Sequence, residues 1–235
     1  MKVIILAQGK GSRWNINLRG LTVPSEYKQL IPLQNGETLL SRTMRQLKEL
    51  EAPYPTLIAS YAAFGHLGTQ VSELREPVGS IIQGIISLRH LWMNEKDILF
   101  ILGDVVFSNI MLYTIVKHEL PGIWFYGRHG ENVVTGKAAK EIFALRVSGD
   151  SMIQEEFWSK LLELIADTST PEKLKLWDFH NFLHLSRTGA SFLYIKGDYT
   201  DDVDSLNDYK EFFSKLDEAV SKDDKDGSAS PLLCS

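Results

Sequence analysis

The chain has 235 residues, 44% of them hydrophobic, and a formal charge of -5. That length and apolar content suit one large α/β domain, and the acidic balance argues against general binding to DNA or RNA, whose phosphate backbones call for a basic face. A single cysteine, Cys234, excludes a disulfide framework and a cysteine-based metal site and points to a reducing, cytoplasmic setting. The opening residues lack the pattern of a signal peptide and no apolar run approaches membrane-spanning length, so a soluble, untargeted protein is expected.

Val3 to Ala7 form an apolar, partly β-branched run that reads as a short buried strand. It stops at the glycine-bearing stretch Gln8 to Arg13. Gly9 and Gly11 let the backbone turn tightly and bring its N–H groups near an anion, while Lys10, Arg13 and later Lys28 supply three cations. A nucleoside triphosphate is the natural guest of such a loop. Residues 15 to 36 carry turn chemistry (Gly20, Pro24, Pro32, Asn35-Gly36) and are expected to wrap over the site. Thr38 is placed to cap a helix in which Leu39, Leu40, Met44, Leu47 and Leu50 recur at helical spacing, ended by Pro53 and Pro55.

A second strand follows at 55–60, and the stretch from there to Glu76 has no clear period. A mostly apolar helix is expected from Gly79 toward Trp92, then a strand buried on both faces from Ile98 to Leu102, which ends at Gly103-Asp104. A helix at about Asn109 to Glu119 and a strand from Ile123 to Tyr126 continue the rhythm of a parallel sheet with crossover helices. Between 127 and 150 four glycines flank Glu141 to Val147, which reads as a strand at the sheet edge or in a small lid. Helices from Gln154 to Ala166 and from Pro171, a strand from Ala190 to Ile195, and a last helix opening near Asp202 and running through Ala219 complete the domain. The expectation is a three-layer α/β/α domain over residues 1–220 with a mostly parallel central sheet. The charged, small-residue segment 221–235 reads as a disordered tail.

The glycine loop fits neither common template. A P-loop needs Ser or Thr directly after its lysine, where Gly11 follows Lys10, and the dinucleotide fingerprint needs glycine where Trp14 stands. The stretch ILAQGKGSR, with LTVPSEYKQLIPL and NGETLLSR behind it, instead resembles the opening of the nucleotidyltransferase superfamily with a GT-A-like, nucleotide-diphospho-sugar transferase fold. Those enzymes join a nucleoside triphosphate to a sugar phosphate or phospho-alcohol. They open with a strand, a Leu-Ala-Ala-Gly-x-Gly-Ser/Thr-Arg loop and a later Pro-Lys signature. Gln8 replaces the second alanine here, and Ser-Glu-Tyr separates Pro24 from Lys28. The resemblance implies a Rossmann-like fold and Mg2+-dependent nucleotidyl transfer with release of pyrophosphate. It gives Leu6, Ala7, Gln8, Gly9, Lys10, Gly11 and Ser12 to the nucleotide. Lys10 and Arg13 would take the β- and γ-phosphates, and Lys28 the charge at the α-phosphate.

Asp104 follows a fully apolar strand, where ligands bind in open α/β sheets. It could hold a hard cation through oxygen, or cap the next segment. Ile101-Leu-Gly-Asp104 resembles the family's strand-ending Gly-Asp, which implies a magnesium ligand. A glycosyltransferase of this fold would show Asp-x-Asp, and position 106 is valine. The cluster Asp201-Asp202-Val203-Asp204-Ser205 is by itself a favourable arrangement before a helix, while the family's Val-Asp-Thr segment implies a second magnesium ligand at Asp204, with Asp202 as fallback. Glu76 to Gly84 resembles the family's Gly-Thr/Ser loop at a helix start, which implies nucleotide contacts from Gly79, Ser80 and Gln83, and the same residues read equally as an ordinary helix cap.

Arg128, His129, Lys137 and Lys140 fall where the family binds its second substrate, so Arg128, Lys137 and Lys140 are candidate contacts to a phosphorylated acceptor within region 127–190. Trp177, His180 and His184 at helical spacing form a helix face rather than a zinc site. The partners implied are a nucleoside triphosphate and a phosphorylated small molecule, without nucleic acid or membrane, in a monomer or homodimer. A glycosyltransferase consuming a nucleotide sugar and a non-catalytic nucleotide-binding regulator are the alternatives.

Overall fold

The computed structural model describes residues 1–7, 28–30, 32–33, 36–53, 56–59, 70–73, 79–203, 209–216 and 232–234. In chain order the strands are β1 (Lys2–Leu6), β2 (Thr56–Ala59), β3 (Gln70–Glu73), β4 (Asp97–Leu102), β5 (Val105–Val106), β6 (Gly122–Glu131), β7 (Ala138–Ser148), β8 (Ala190–Tyr194), β9 (Asp201–Asp202) and β10 (Leu232–Cys234). The helices are α1 (Leu39–Glu49), α2 (Ile81–Ser87), α3 (Arg89–Trp92), α4 (Asn109–Lys117), α5 (Ser151–Asp167), α6 (Leu176–Leu185) and α7 (209–216). The main sheet runs β10-β8-β6-β7-β4-β1-β2-β3, and β5 and β9 form a separate two-stranded ribbon.

The pairs β1–β2, β1–β4, β2–β3 and β6–β8 are parallel, and β7 runs antiparallel between β4 and β6. Because side chains alternate across a strand, the apolar runs feed both faces. Val3, Ile5, Leu99 and Ile101 meet Leu40 and Leu47 of α1 and Met111, Leu112 and Ile115 of α4. Ile4, Leu6, Ile98 and Phe100 meet Ile82, Ile85, Trp92, Phe157, Leu161, Phe179 and Leu183 of the helices on the other side. This is the expected three-layer α/β/α arrangement. Among the described residues no helix is long and apolar enough to cross a membrane.

Three expectations change. The segment expected at an edge or in a lid is the central strand β7, where Ile142 to Val147 are all buried. Six consecutive buried residues, five of them apolar, mark a strand covered on both faces, and the flanking Gly127 serves its register instead. A Cβ at Gly127 would lie 1.8 Å from the Glu141 carbonyl oxygen, so the β6–β7 pairing, irregular at Tyr126/Gly127, requires glycine there. The helix expected from Gly79 to Trp92 breaks at Leu88, where the Trp92 indole donates to the Ile85 carbonyl at 2.9 Å. At the carboxyl end, residues 232–234 pair with β8, and the remainder of the segment read as a tail lies outside the described residues.

Arg146 ties the two halves of the sheet to α4. Its guanidinium is bidentate to Asp97 at 2.8 and 2.7 Å and donates to the carbonyls of Ile115, Val116 and His118 at the end of α4. Replacing a buried cation that satisfies a carboxylate and several carbonyls leaves all of them unpaired. Arg146→Met is expected to lower unfolding free energy by about 2–4 kcal/mol in urea titrations, and Asp97→Asn added to it should recover part of that loss. A cost below about 0.5 kcal/mol would show that the network is not structural.

Candidate active site

The carboxyl ends of β1 and β4 lie side by side, with Leu6 opposite Leu102 and the Gly103 N–H donating to the Leu6 carbonyl at 2.9 Å. A Cβ at Gly103 would fall 3.1 Å from both Ala7 Cβ and Leu6 O. Glycine therefore lets the chain turn tightly against β1 and present Asp104 at the sheet's carboxyl end, the ligand-binding end of open α/β sheets. Lys28 arrives on a short 3-10 turn anchored by buried Gln29 and Leu30. Its Nζ lies 2.5 Å from Asp104 Oδ2, with the two side chains only 12% and 23% exposed. A cation and a carboxylate 76 positions apart in sequence thus form one mostly buried pair at the mouth of the sheet.

The β5–β9 ribbon holds Asp104 from its other side. Val105 pairs with Asp202 and Val106 with Asp201, and Val203 N donates to the Asp104 carbonyl at 3.4 Å. The start of the aspartate cluster is therefore strand, where sequence reasoning expects the last helix to open. Among the described residues that helix covers 209–216.

Next to the ribbon is a cavity of about 460 Å³ whose lining includes Arg128, Lys137, Glu141, Asp201, Asp202 and Phe212. Arg128, 3% exposed, places one guanidinium nitrogen 2.6 Å from Glu141 Oε2 and 2.9 Å from Asp201 Oδ1, and donates to the Lys137 carbonyl at 3.2 Å. Fully buried Asn132 donates to Asp201 Oδ2 at 3.0 Å and to the Tyr199 carbonyl at 3.0 Å, and accepts from the Val134 and Thr135 N–H groups. Burial pushes the Asp201 carboxyl up to about 8; the Arg128 charge opposes the shift, while the charges of Glu141 and Asp202 add to it. Carboxylate oxygens of Glu141, Asp201 and Asp202 lie within 4.8 Å of one another. Arg128 bonds directly to Glu141 and Asp201 and so balances part of this charge within the protein, while the three carboxylates remain close enough together to hold a cation.

The expected cationic acceptor cluster is divided. Arg128 and Lys137 line the cavity, and Lys137 Nζ lies 3.6 Å from Glu211. Lys140 pairs with His129, one residue away from the Arg128–Glu141 pair, which places it on the opposite face of the hairpin. The cavity therefore carries more carboxylate than cation. Sequence reasoning passes over Asn132, Glu141 and Asp201. Asp201 stood inside the noted aspartate cluster; Asn132 has a local role in the turn through Val134 and Thr135, but the contacts that tie it to Asp201 and Tyr199 lie 67 to 69 residues away.

Ser80 is the cap of α2, accepting from Gln83 N at 3.2 Å, and the Gln83 side chain accepts from Gly79 N at 3.0 Å. A Cβ at Gly79 would lie 2.5 Å from Glu172 Cβ, so glycine allows this cap to pack on the turn before α6. Leu6 and Ala7 are buried beside Gly103. His180 stacks on Trp177 with 4.9 Å between centroids and packs against Phe125 and Phe192. Burial lowers its pKa. Gln8, Gly9, Lys10, Gly11, Ser12, Arg13 and Asp204 lie outside the described residues.

No family model and no curated protein matches the chain. Solved structures do. A Bacillus anthracis protein assigned as a glucose-1-phosphate thymidylyltransferase, in complex with a sucrose, superposes with a TM-score of 0.60 at 16% identity over 95% of each chain. The CTP:phosphocholine cytidylyltransferase of Streptococcus pneumoniae gives 0.61 at 19% identity, covering 92% of this chain and 98% of that one. The inositol-1-phosphate CTP transferase of T. maritima gives 0.61 at 15% identity, covering 93% and 97%. The chain has the nucleotidyltransferase fold. In that fold Asp104 and Lys28 stand at the open end of the sheet, and the Arg128 network braces the hairpin beside them.

The Asp201 shift has a direct consequence for stability. A carboxyl whose folded pKa is raised binds its proton more tightly in the folded state, so its contribution is present at low pH and is lost as pH rises from about 4 through about 8. Calorimetry of the wild type is expected to show Tm falling between pH 5 and pH 8. Asp201→Asn, which keeps the hydrogen-bonding shape without the titration, should flatten that slope. An equal slope in the variant would assign the pH dependence to other groups.

Proposed function

We propose that the protein is a nucleotidyltransferase that joins a nucleoside triphosphate to a phosphorylated small acceptor, a sugar 1-phosphate or a phospho-alcohol, in a Mg2+-dependent reaction that releases pyrophosphate. The observation that carries this reading is the Lys28–Asp104 pair at the carboxyl ends of β1 and β4. It occupies the ligand-binding end of a fold shared with thymidylyl- and cytidylyltransferases. The single cysteine fits a cytoplasmic enzyme.

In the proposed reaction an oxygen of the acceptor phosphate attacks the α-phosphorus. The new P–O bond forms as the bond from the α-phosphorus to its bridging oxygen breaks, and pyrophosphate leaves with that electron pair. Such chemistry needs positioning and charge stabilisation and no covalent nucleophile. Lys28, held in place by Asp104, is a pre-oriented cation for the charge that develops at the α-phosphate, so little reorganisation accompanies the reaction. Lys10 and Arg13 would bind the β- and γ-phosphates, and the loop from Leu6 to Ser12, with Gly79, Ser80 and Gln83, would contact the nucleoside.

Asp104 is an oxygen donor of the kind Mg2+ prefers, and Mg2+ sites on nucleotides commonly use one or two carboxylates with substrate phosphates. Asp104 fits that role, and Asp204 would be the second ligand. When bound, Mg2+ would neutralise charge on the triphosphate oxygens.

The cavity next to the β5–β9 ribbon bears on the acceptor. Three carboxylates against Arg128 and Lys137 favour an acceptor whose far end offers hydroxyls or an ammonium group over one with a second phosphate. Incubation with Mg2+, each triphosphate and a panel of sugar phosphates and phospho-alcohols should release pyrophosphate with one acceptor class. Lys28→Ala and Asp104→Asn should each lower kcat/KM about a hundredfold or more while circular dichroism stays unchanged. Nucleoside diphosphate as the released product would identify a glycosyltransferase, and full turnover by folded Lys28→Ala would overturn the assignment.

A further inference from the structure

Two connections meet beside the site. Residues 103–108 lead from β4 to α4 and carry Asp104, while residues 195–200 lead from β8 to β9 and deliver Asp201 and Asp202. Val105 and Val106 pair with Asp202 and Asp201, the Val203 N–H donates to the Asp104 carbonyl, and the Ser108 N–H donates to Thr200 Oγ1 at 2.9 Å. Asn132 and Val133, at the end of β6, also hold the second connection, at the carbonyls of Tyr199 and Asp198. The spacing between Asp104 and the acceptor cavity is therefore set where these two connections touch.

At that junction sits a buried carboxyl that the transfer reaction does not use. Asp198 is 6% exposed, and Ser108 and Thr200, whose hydroxyls face it, are fully buried. Both hydroxyl oxygens already accept a backbone N–H, Ser108 from Met111 and Thr200 from Ser108, so the hydrogen each carries is free for the Asp198 carboxyl. The N–H groups of Tyr199 and Thr200 also favour its ionised form. Burial outweighs all four groups and raises its pKa, and Oδ2 is left without a hydrogen-bond partner. Among the described residues no cation pairs with it. A buried carboxyl without a cation is a poor stabilising device, so what it joins explains it better than what it adds to the stability of the fold.

We propose that Asp198 is a positioning residue for the transfer site: wedged between the hydroxyls of Ser108 and Thr200, its side chain fastens the connection that carries Asp104 to the one that carries Asp201, and so sets the distance from the transfer centre to the acceptor cavity. This role presupposes the nucleotidyltransferase reading, in which Asp198 touches neither substrate and acts through Ser108 and Thr200. What it governs is the approach of the acceptor oxygen to the α-phosphorus, where an error on the order of 1 Å costs about a hundredfold in rate. The triphosphate is assigned to Lys28 and the Leu6–Ser12 loop, which belong to other segments of the chain.

The test compares the intact protein with Asp198→Ala and Asp198→Asn, using the triphosphate and acceptor that the wild type turns over. Asp198→Ala should lower kcat by about ten- to a hundredfold and raise KM for the acceptor, with KM for the triphosphate changed less than about twofold. Asp198→Asn, which keeps the shape and still accepts from a hydroxyl, should stay within about threefold of the wild type. Amide hydrogen exchange, which needs no turnover, should be at least about tenfold faster at Ser108 and Val203 in Asp198→Ala than in the wild type, and unchanged along β1. A folded Asp198→Ala with wild-type kcat and exchange, a loss confined to the triphosphate KM, or an Asp198→Asn variant as impaired as Asp198→Ala would each overturn the role. If Asp198→Ala does not fold, Thr200→Val, which removes the hydroxyl shared by Ser108 and Asp198, carries the same kcat and exchange expectations. A wild type that turns over no pair of substrates refutes the reading of the reaction, while exchange at Ser108 and Val203 still decides whether Asp198 fastens the two connections.

Discussion

The close approach of β4 to β1 at their carboxyl ends is the constraint on which the site depends. Parallel pairing carries Leu6 opposite Leu102, and the next residue, Gly103, sits where any side chain would press on Ala7 and Leu6. The chain turns there and leaves Asp104 facing Lys28. Neither residue has a local reason to be where it is. The carboxylate is placed by a strand buried on both faces, and the lysine by a turn whose neighbours Gln29 and Leu30 are buried. An ion pair that is mostly buried yet stands at the open end of a sheet is weakly justified as a stabilising device, because desolvation offsets much of the attraction. A role in handling charge accounts for it better.

The rest of the domain keeps that end rigid. Arg42 of α1 donates to the Phe107 carbonyl at 2.6 Å, and Gln46 bonds Asn109 at 2.8 Å, which fixes α1 against the start of α4 just beyond Asp104. Ser108 caps α4, while its own N–H donates to Thr200. The Arg128 network then locks the β6–β7 hairpin to β9. These polar groups bond to partners distant in sequence, so they hold several elements in one relative arrangement. Preorganisation of this kind is what a reaction driven by positioning needs.

Much of this was legible in the sequence because it is periodic or local. The apolar runs at 3–7 and 98–102 gave central strands, Thr38 gave a cap whose oxygen accepts from Ser41 N at 3.1 Å, and Gly-Asp after an apolar strand gave Asp104. The misreadings arose where a local signal had two meanings. Glycines around 141–147 suggested an edge, whereas Gly127 is needed for close backbone approach in mid-sheet. Clustered aspartates suggested a helix start, whereas Asp201 and Asp202 pair as strand with Val106 and Val105. The basic residues 128, 137 and 140 suggested one cluster, but strand alternation divides them and long-range partners claim Arg128. The roles of Arg146 and of the Asn132 amide nitrogen could not be read from sequence, since their partners lie tens of residues away.

The fate of the triphosphate reveals which phosphorus is attacked. With nucleoside triphosphate labelled separately at the α- and γ-phosphates and a turning-over acceptor, nucleotidyl transfer places the α label in the nucleotidyl–acceptor conjugate and the γ label in pyrophosphate, in equal amounts. Recovery of the α label as nucleoside mono- or diphosphate, with none in the conjugate, would rule out nucleotidyl transfer.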